Sequence, residues 1–140
     1  MKLLLDTCVL SELRRPSPHH AVTALLERTA DEDLFLSVVT LGELTRGIAL
    51  LQEGMRKREL RDWAARLERE YGNRILPVDA AAARLWGTFT AAAARAGVTI
   101  PACDGLIAAT ALRHGLHVVT RNTADFRHSG ALLLNPWEKG

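Results

Sequence analysis

Four carboxylates stand apart from the other acids of this 140-residue chain by what surrounds them: Asp6, Glu43, Asp104 and Asp125. Asp6 closes the apolar run Leu3-Leu4-Leu5 and opens Asp-Thr-Cys-Val-Leu. Glu43 ends Thr40-Leu41-Gly42-Glu43, a pattern that matches a capping box in which the glutamate reaches back to the Thr40 amide. Projected at about 100° per residue, a helix from 41 puts Glu43 on the margin of the stripe Leu41, Leu44, Ile48 and Leu51. Asp104 is the only acid between 102 and 114, and it shares a helix face with Ile107, Ala108 and Ala111 while Arg113 lies opposite. Asp125 sits in Thr120-Arg121-Asn122-Thr123-Ala124-Asp125-Phe126, which reads as a polar loop after a strand. Each acid has an ordinary structural explanation. Asp6 can cap a helix, Asp104 can favour a helix N-terminus by about 0.3–1 kcal/mol, and Asp125 can make a turn. The helix-terminus gain does not offset burial of an unpaired charge, which costs several kcal/mol. Carboxylates gathered in one place raise one another's pKa unless a cation joins them. An all-oxygen donor set without imidazole or thiolate suits a hard divalent ion, Mg²⁺ or Mn²⁺. One or two such ions activate water and stabilise a leaving oxygen, the chemistry of phosphodiester hydrolysis.

The elements that must position these acids follow from the hydrophobic pattern. Short apolar runs at 2–6, 34–39, 75–78, 116–119 and 131–134 read as buried strands, several of them bounded by turn residues such as Gly72-Asn73, Gly115 and Gly130. Segments 7–14, 18–29, 41–52, 55–71, 79–96 and 102–114 have helical character. Strands alternating with helices predict an α/β fold: a central parallel sheet of about five strands flanked by helices, in a single domain over 1–140. Such sheets bind ligands beyond the carboxyl ends of their strands, where the strand order reverses. Asp6 and the 122–125 segment fall at that edge.

Composition narrows the classes. The chain is 48% hydrophobic, enough for a core and too much for disorder. Its apolar stretches are broken well before a membrane span, and Asp6 comes too early for a signal peptide, so the expected location is the cytoplasm with no membrane partner. Of 18 basic residues, 15 are arginine, many between Arg56 and Arg74, where interleaved glutamates give the pattern of a solvated helix face. Cys8 and Cys103, each beside or near a candidate acid, are expected to be reduced thiols and form no metal spacing. The five histidines, His19, His20, His114, His117 and His128, do not recur at ligand spacing. A phosphoryl-accepting receiver domain would need an acidic neighbour for Asp6 and a late-strand lysine, for which only Lys139 is available. A haloacid dehalogenase-type phosphatase would need Asp where the chain has Cys8.

Taken in order, Asp6-Thr-Cys-Val-Leu, Thr40-x-x-Glu43-Leu44, Asp104 followed by Leu-Ile-Ala-Ala-Thr-Ala, and Thr120-Arg-Asn-x-x-Asp125-Phe126 resemble the acidic motifs of PIN-domain ribonucleases. Order, spacing and length are similar to those of VapC toxins, and Asn135-Pro136-Trp137 resembles the FitB-like branch. The resemblance covers essentially the whole chain. It implies a Mg²⁺- or Mn²⁺-dependent endoribonuclease acting on RNA, and a homodimer held inactive in a hetero-oligomer with a VapB-type antitoxin. It makes Asp6, Glu43, Asp104 and Asp125 the metal-site acids, Asp6 and Asp104 first among them, with Thr120 and Asn122 in support. Hydrolysis at such a site would call on arginines such as Arg121 or Arg14 to balance charge on the phosphoryl oxygens. Cys8 departs from the family, in which many members carry Asn. That departure keeps a second reading open: a catalytically weak PIN-like module that binds RNA or a partner.

Overall fold

The computed structural model describes residues 1–138. Five parallel strands, β1 (Leu3–Leu5), β2 (Leu34–Ser37), β3 (Ile75–Leu76), β4 (His117–Val119) and β5 (Leu132–Leu134), lie in the order β3-β2-β1-β4-β5. The helices are α1 (Thr7–Leu13), α2 (His20–Glu27), α3 (Val38–Ala49), α4 (Met55–Tyr71), α5 (Ala80–Arg95), α6 (Ala102–His114) and α7 (Thr123–Phe126). The expected α/β architecture is therefore present. Among the described residues no helix is long and apolar enough to cross a membrane. Lys139 lies outside the described residues.

β1 is central because every one of its residues is apolar, and parallel strands covered by helices on both faces need such continuous runs. Leu3 and Leu5 point into one hydrophobic layer with Val9, Leu10, Val22, Leu36 and Leu44. Leu4 points into the other, with Ile107, Ala108, Ala111, Val118 and Phe126. Burying each leucine contributes about 1.5–3 kcal/mol, so the strand at the middle is also the strand held hardest. The chain runs from β1 outward through β2 to β3, then crosses back to lay β4 on the other side of β1. The strand order thus reverses between β1 and β4, which opens a crevice at their carboxyl ends.

Three sequence expectations are corrected. The strand expected over 34–39 stops at Ser37, and Val38 and Val39 belong to α3. The two valines carry strand propensity, but the Ser37 hydroxyl accepts the Val39 amide at 3.0 Å and starts the helix there. The Thr40 capping box therefore does not form: Thr40 is inside α3, fully buried, and its hydroxyl has no partner among the described residues. The polar stretch after β4, expected as loop, contains the short α7. The charged residues between Arg56 and Arg69 lie on the solvated face of α4 as expected, with the exception of Lys57, which is buried and donates to the carbonyls of Ala49 and Leu51 and to Glu53.

Candidate acidic site at the strand-order reversal

Asp6 follows β1 and caps α1, with an extended backbone that lets its Oδ1 accept the Thr7 amide at 2.8 Å. Its Oδ2 accepts the Thr120 hydroxyl at 2.8 Å and lies 3.6 Å from the Cys8 thiol. Thr120 stands just past β4, the neighbour of β1, and its hydroxyl also accepts the Asn122 amide at 2.9 Å. The Asp6 amide donates to the Val119 carbonyl, tying the two strand ends together. Asp6 is 4% exposed, so these donors replace the water it has lost. A carboxylate has about four acceptor positions, so three donors leave it room for one further partner. Asn122 takes part through its backbone, and its side chain is exposed.

Glu43 is half-buried and held from across the crevice: the Thr7 hydroxyl donates to its Oε1 at 2.7 Å. α1 thus presents Asp6 from its cap and fixes Glu43 from its first residue. Asp104 stands in the first turn of α6, half-buried, and Asp125 lies on α7, exposed. Burial first, and then the charges of Asp6, Asp125 and Glu43, push the Asp104 carboxyl up to about 6 from 3.8. The four acids therefore share one electrostatic neighbourhood. Among the described residues none of the four is in an ion pair. They are not closed around a common point either: among the described residues no three acidic, histidine or cysteine side chains are gathered to grip one ion. The cluster has the composition of a cation site in an open arrangement.

Both cysteines are free thiols. Cys8 accepts the Arg121 amide at 3.5 Å and faces Asp6 and Thr120. Burial above all, with the Asp6 charge, pushes its thiol up, so it stays protonated and able to donate to the carboxylate. Arg14 and Arg121 flank the site without an acid partner among the described residues. The Arg14 guanidinium lies 5.3 Å from the ring centre of Trp63, and that of Arg121 lies 5.6 Å from the ring centre of Trp137.

Two features of the site escaped sequence reasoning. The Thr7 hydroxyl bridge to Glu43 carries no local signal, because it joins residues 36 positions apart. Glu12 is buried and accepts the Trp137 indole N–H at 3.0 Å and the His19 amide at 3.3 Å. Its signal was available: Glu12 comes three residues after buried Val9 on the same helix, which is the criterion that singled out Asp104.

A parallel α/β domain whose strand-order reversal carries an acidic, all-oxygen crevice defines a class of compact acid-site proteins. Comparison narrows the class. The PIN domain family matches residues 3–131. Toxin FitB of Neisseria gonorrhoeae is 41% identical over 139 residues, covering 96% of this chain and 98% of that protein. The VapC ribonuclease Y4jK of Sinorhizobium fredii is 39% identical over 140 residues, covering 97% and 98%. The crystal structure of FitAcB from Neisseria gonorrhoeae superposes with a TM-score of 0.91 at 39% identity, over 98% of this chain and 99% of that one. The chain belongs to the PIN-domain family, in its VapC and FitB group.

Proposed function

We propose that this chain, as one PIN domain over its whole length, is the toxin of a type II toxin–antitoxin system: a metal-dependent endoribonuclease that hydrolyses RNA phosphodiester bonds at the acidic crevice. One observation carries the reading. Asp104 is driven up to about 6 by burial and by three other carboxylates, with no cation paired to any of them among the described residues. Such a cluster is unfavourable alone and is resolved by a hard cation. Asp6 and Asp104 would hold Mg²⁺ or Mn²⁺, with Glu43 and Asp125 ligating directly or through water. When bound, the ion supplies Lewis-acid activation of water and offsets charge on the phosphoryl oxygens.

The chain's own residues do the rest. Thr120 and the Thr7 amide hold the Asp6 carboxylate in one orientation, and the Thr7 hydroxyl does the same for Glu43. Arg14 and Arg121 stand on opposite flanks of α1, where they can meet phosphates entering and leaving the crevice. The substrate class is an exposed single-stranded loop, as in tRNA or rRNA, because sequence-specific RNA recognition targets unstacked bases. The FitB relative is named a toxin. A VapB-type antitoxin that inserts an arginine or lysine among the four carboxylates would neutralise them as the ion does, in a hetero-oligomer built on a toxin homodimer.

The test is cleavage of total RNA by purified protein freed of any partner, in Mn²⁺ or Mg²⁺ and in EDTA, with Asp6→Asn alongside. Discrete fragments that require both metal and Asp6 are expected. Folded, metal-loaded protein that cuts no RNA would overturn the nuclease reading and favour a binding module.

A further inference from the structure

On the flank of α1 away from Glu43, a cavity of about 480 Å³ runs from Thr7 and Cys8 past Ser11 to Arg15, Arg121 and Trp137. Its inner end adjoins the acidic crevice, since two of its lining residues touch site acids: Thr7 donates to Glu43 and Cys8 lies against Asp6. Its outer wall is an indole fixed in place. The Trp137 ring N–H donates to buried Glu12, the Trp137 amide donates to Asn135 Oδ1 at 2.9 Å, and the ring packs on the core layer. Glu12 is kept ionised, because the indole N–H above all, then the His19 amide and Arg15, hold its carboxyl below the usual range. Two arginines rim the opening: Arg15, whose side chain is 65% exposed, and Arg121, also exposed.

We infer that this cavity seats one nucleotide of a single-stranded RNA next to the scissile phosphate, its base stacked on Trp137 and its phosphate held by Arg121 and Arg15. The inference rests on the nuclease reading and names how that site takes its substrate. An aromatic ring that is anchored at its polar edge exposes a face without losing order when a base arrives, and base stacking on such a face tolerates any sequence. Arg121 occupies that face in the free protein at 5.6 Å. An exposed cation–π contact is weaker than base stacking, so the base displaces the guanidinium, which is then free to turn to the phosphate. The charge pattern favours RNA over an acidic or apolar ligand. A cationic rim stands beside an anionic, metal-seeking crevice, which is the arrangement of charges a phosphodiester meets on its way to hydrolysis.

The experiment pairs two readouts on the full chain. The first is binding of a labelled, unstructured oligoribonucleotide in EDTA, followed by anisotropy over a range of salt. The second is steady-state cleavage in Mn²⁺. Trp137→Leu is expected to weaken binding by roughly tenfold or more and to raise KM with little change in kcat, while Trp137→Phe, which keeps a ring face, restores most of both. Arg121→Gln or Arg15→Gln should lower the slope of log affinity against log salt by roughly 0.7, the share of one phosphate that the protein no longer neutralises. Unchanged binding and KM in Trp137→Leu and Arg121→Gln, with wild-type cleavage intact, would overturn the cavity's role and leave the nuclease standing. The same result with inhibition by the antitoxin weakened would give the cavity to a protein partner instead. Wild-type protein that binds the oligoribonucleotide through Trp137 but cuts no RNA would remove the nuclease reading alone.

Discussion

Replacing Asp104 by Asn keeps the side-chain volume and removes one negative charge from a neighbourhood of four. In the metal-free protein that change should stabilise the fold while it abolishes metal-dependent cleavage. The Asp104 carboxyl stands at about 6 against 3.8 for the free group, a difference of about two pKa units. Two units correspond to about 3 kcal/mol for a fully shielded group, and partial exposure to water reduces this to about 1–2 kcal/mol. For a chain of this length that is a rise in melting temperature of about 3–6 °C. The sign follows from linkage: the folded chain binds this proton more tightly than the unfolded chain. The ionised carboxylate therefore weakens the fold above about pH 6, and the penalty fades as pH falls toward 3.8. Melting curves of wild type and Asp104→Asn in EDTA should differ most at about pH 8 and converge at about pH 4. Adding Mg²⁺ should then raise the wild-type midpoint and leave the variant nearly unmoved, because only binding to the folded state stabilises it. An Asp104→Asn protein less stable than wild type in EDTA at neutral pH, or a difference indifferent to pH, would refute the electrostatic account of the site.

Thr120→Val removes the hydroxyl that holds Asp6 and receives the Asn122 amide, so cleavage should fall at least tenfold and stability by about 1–3 kcal/mol. Cys8→Ala leaves the Thr7 and Thr120 bonds to Asp6 in place and should stay within a few-fold of wild type in the same rate assay. Gly105→Ala places a Cβ 3.0 Å from the Trp86 indole nitrogen, which has to move inside a packed helix pair; a loss of about 1–3 kcal/mol is expected in urea unfolding followed by tryptophan fluorescence. Lys57→Met strands the Ala49 and Leu51 carbonyls at the end of α3 and should lower the urea midpoint without changing cleavage per folded molecule.

The parts of the fold readable from sequence are those where one pattern speaks alone. Leu3-Leu4-Leu5 and His117-Val118-Val119 are too short and too apolar to be anything but buried strands once Asp6 and Thr120 follow them. Asp104 could be placed on an inward face because the 102–114 helix has a regular period and only one acid. Where two signals compete, the weaker wins unseen. Val38 and Val39 carry β-branched side chains, yet a single serine hydroxyl at position 37 turns them into the first turn of α3. That shift of the helix start is also what voids the Thr40 capping box and frees Glu43 to meet Thr7 instead. α7 is four residues long, shorter than any period that sequence can display. The bond from Thr120 to Asp6 spans 114 positions, and only the adjacency of β4 to β1 creates it.

That adjacency also explains why the site is half built. Asp6 and Thr120 issue from the adjacent buried strands β1 and β4, so the hydrophobic layers on either face of β1 fix them before any ligand is present. Glu43, Asp104 and Asp125 come from helices around the crevice and are half-buried or exposed. They share an electrostatic field without a closed cage of ligands among the described residues. A fold indifferent to function would relieve this with one asparagine at position 104. Three further carboxylates around a rigid Asp6 are a local violation of packing logic of the kind that marks a functional site. It is resolved by whatever positive charge enters the crevice. A divalent ion and a basic side chain from a partner would satisfy the same demand, so the physics that would let the crevice hold metal would also open it to inhibition.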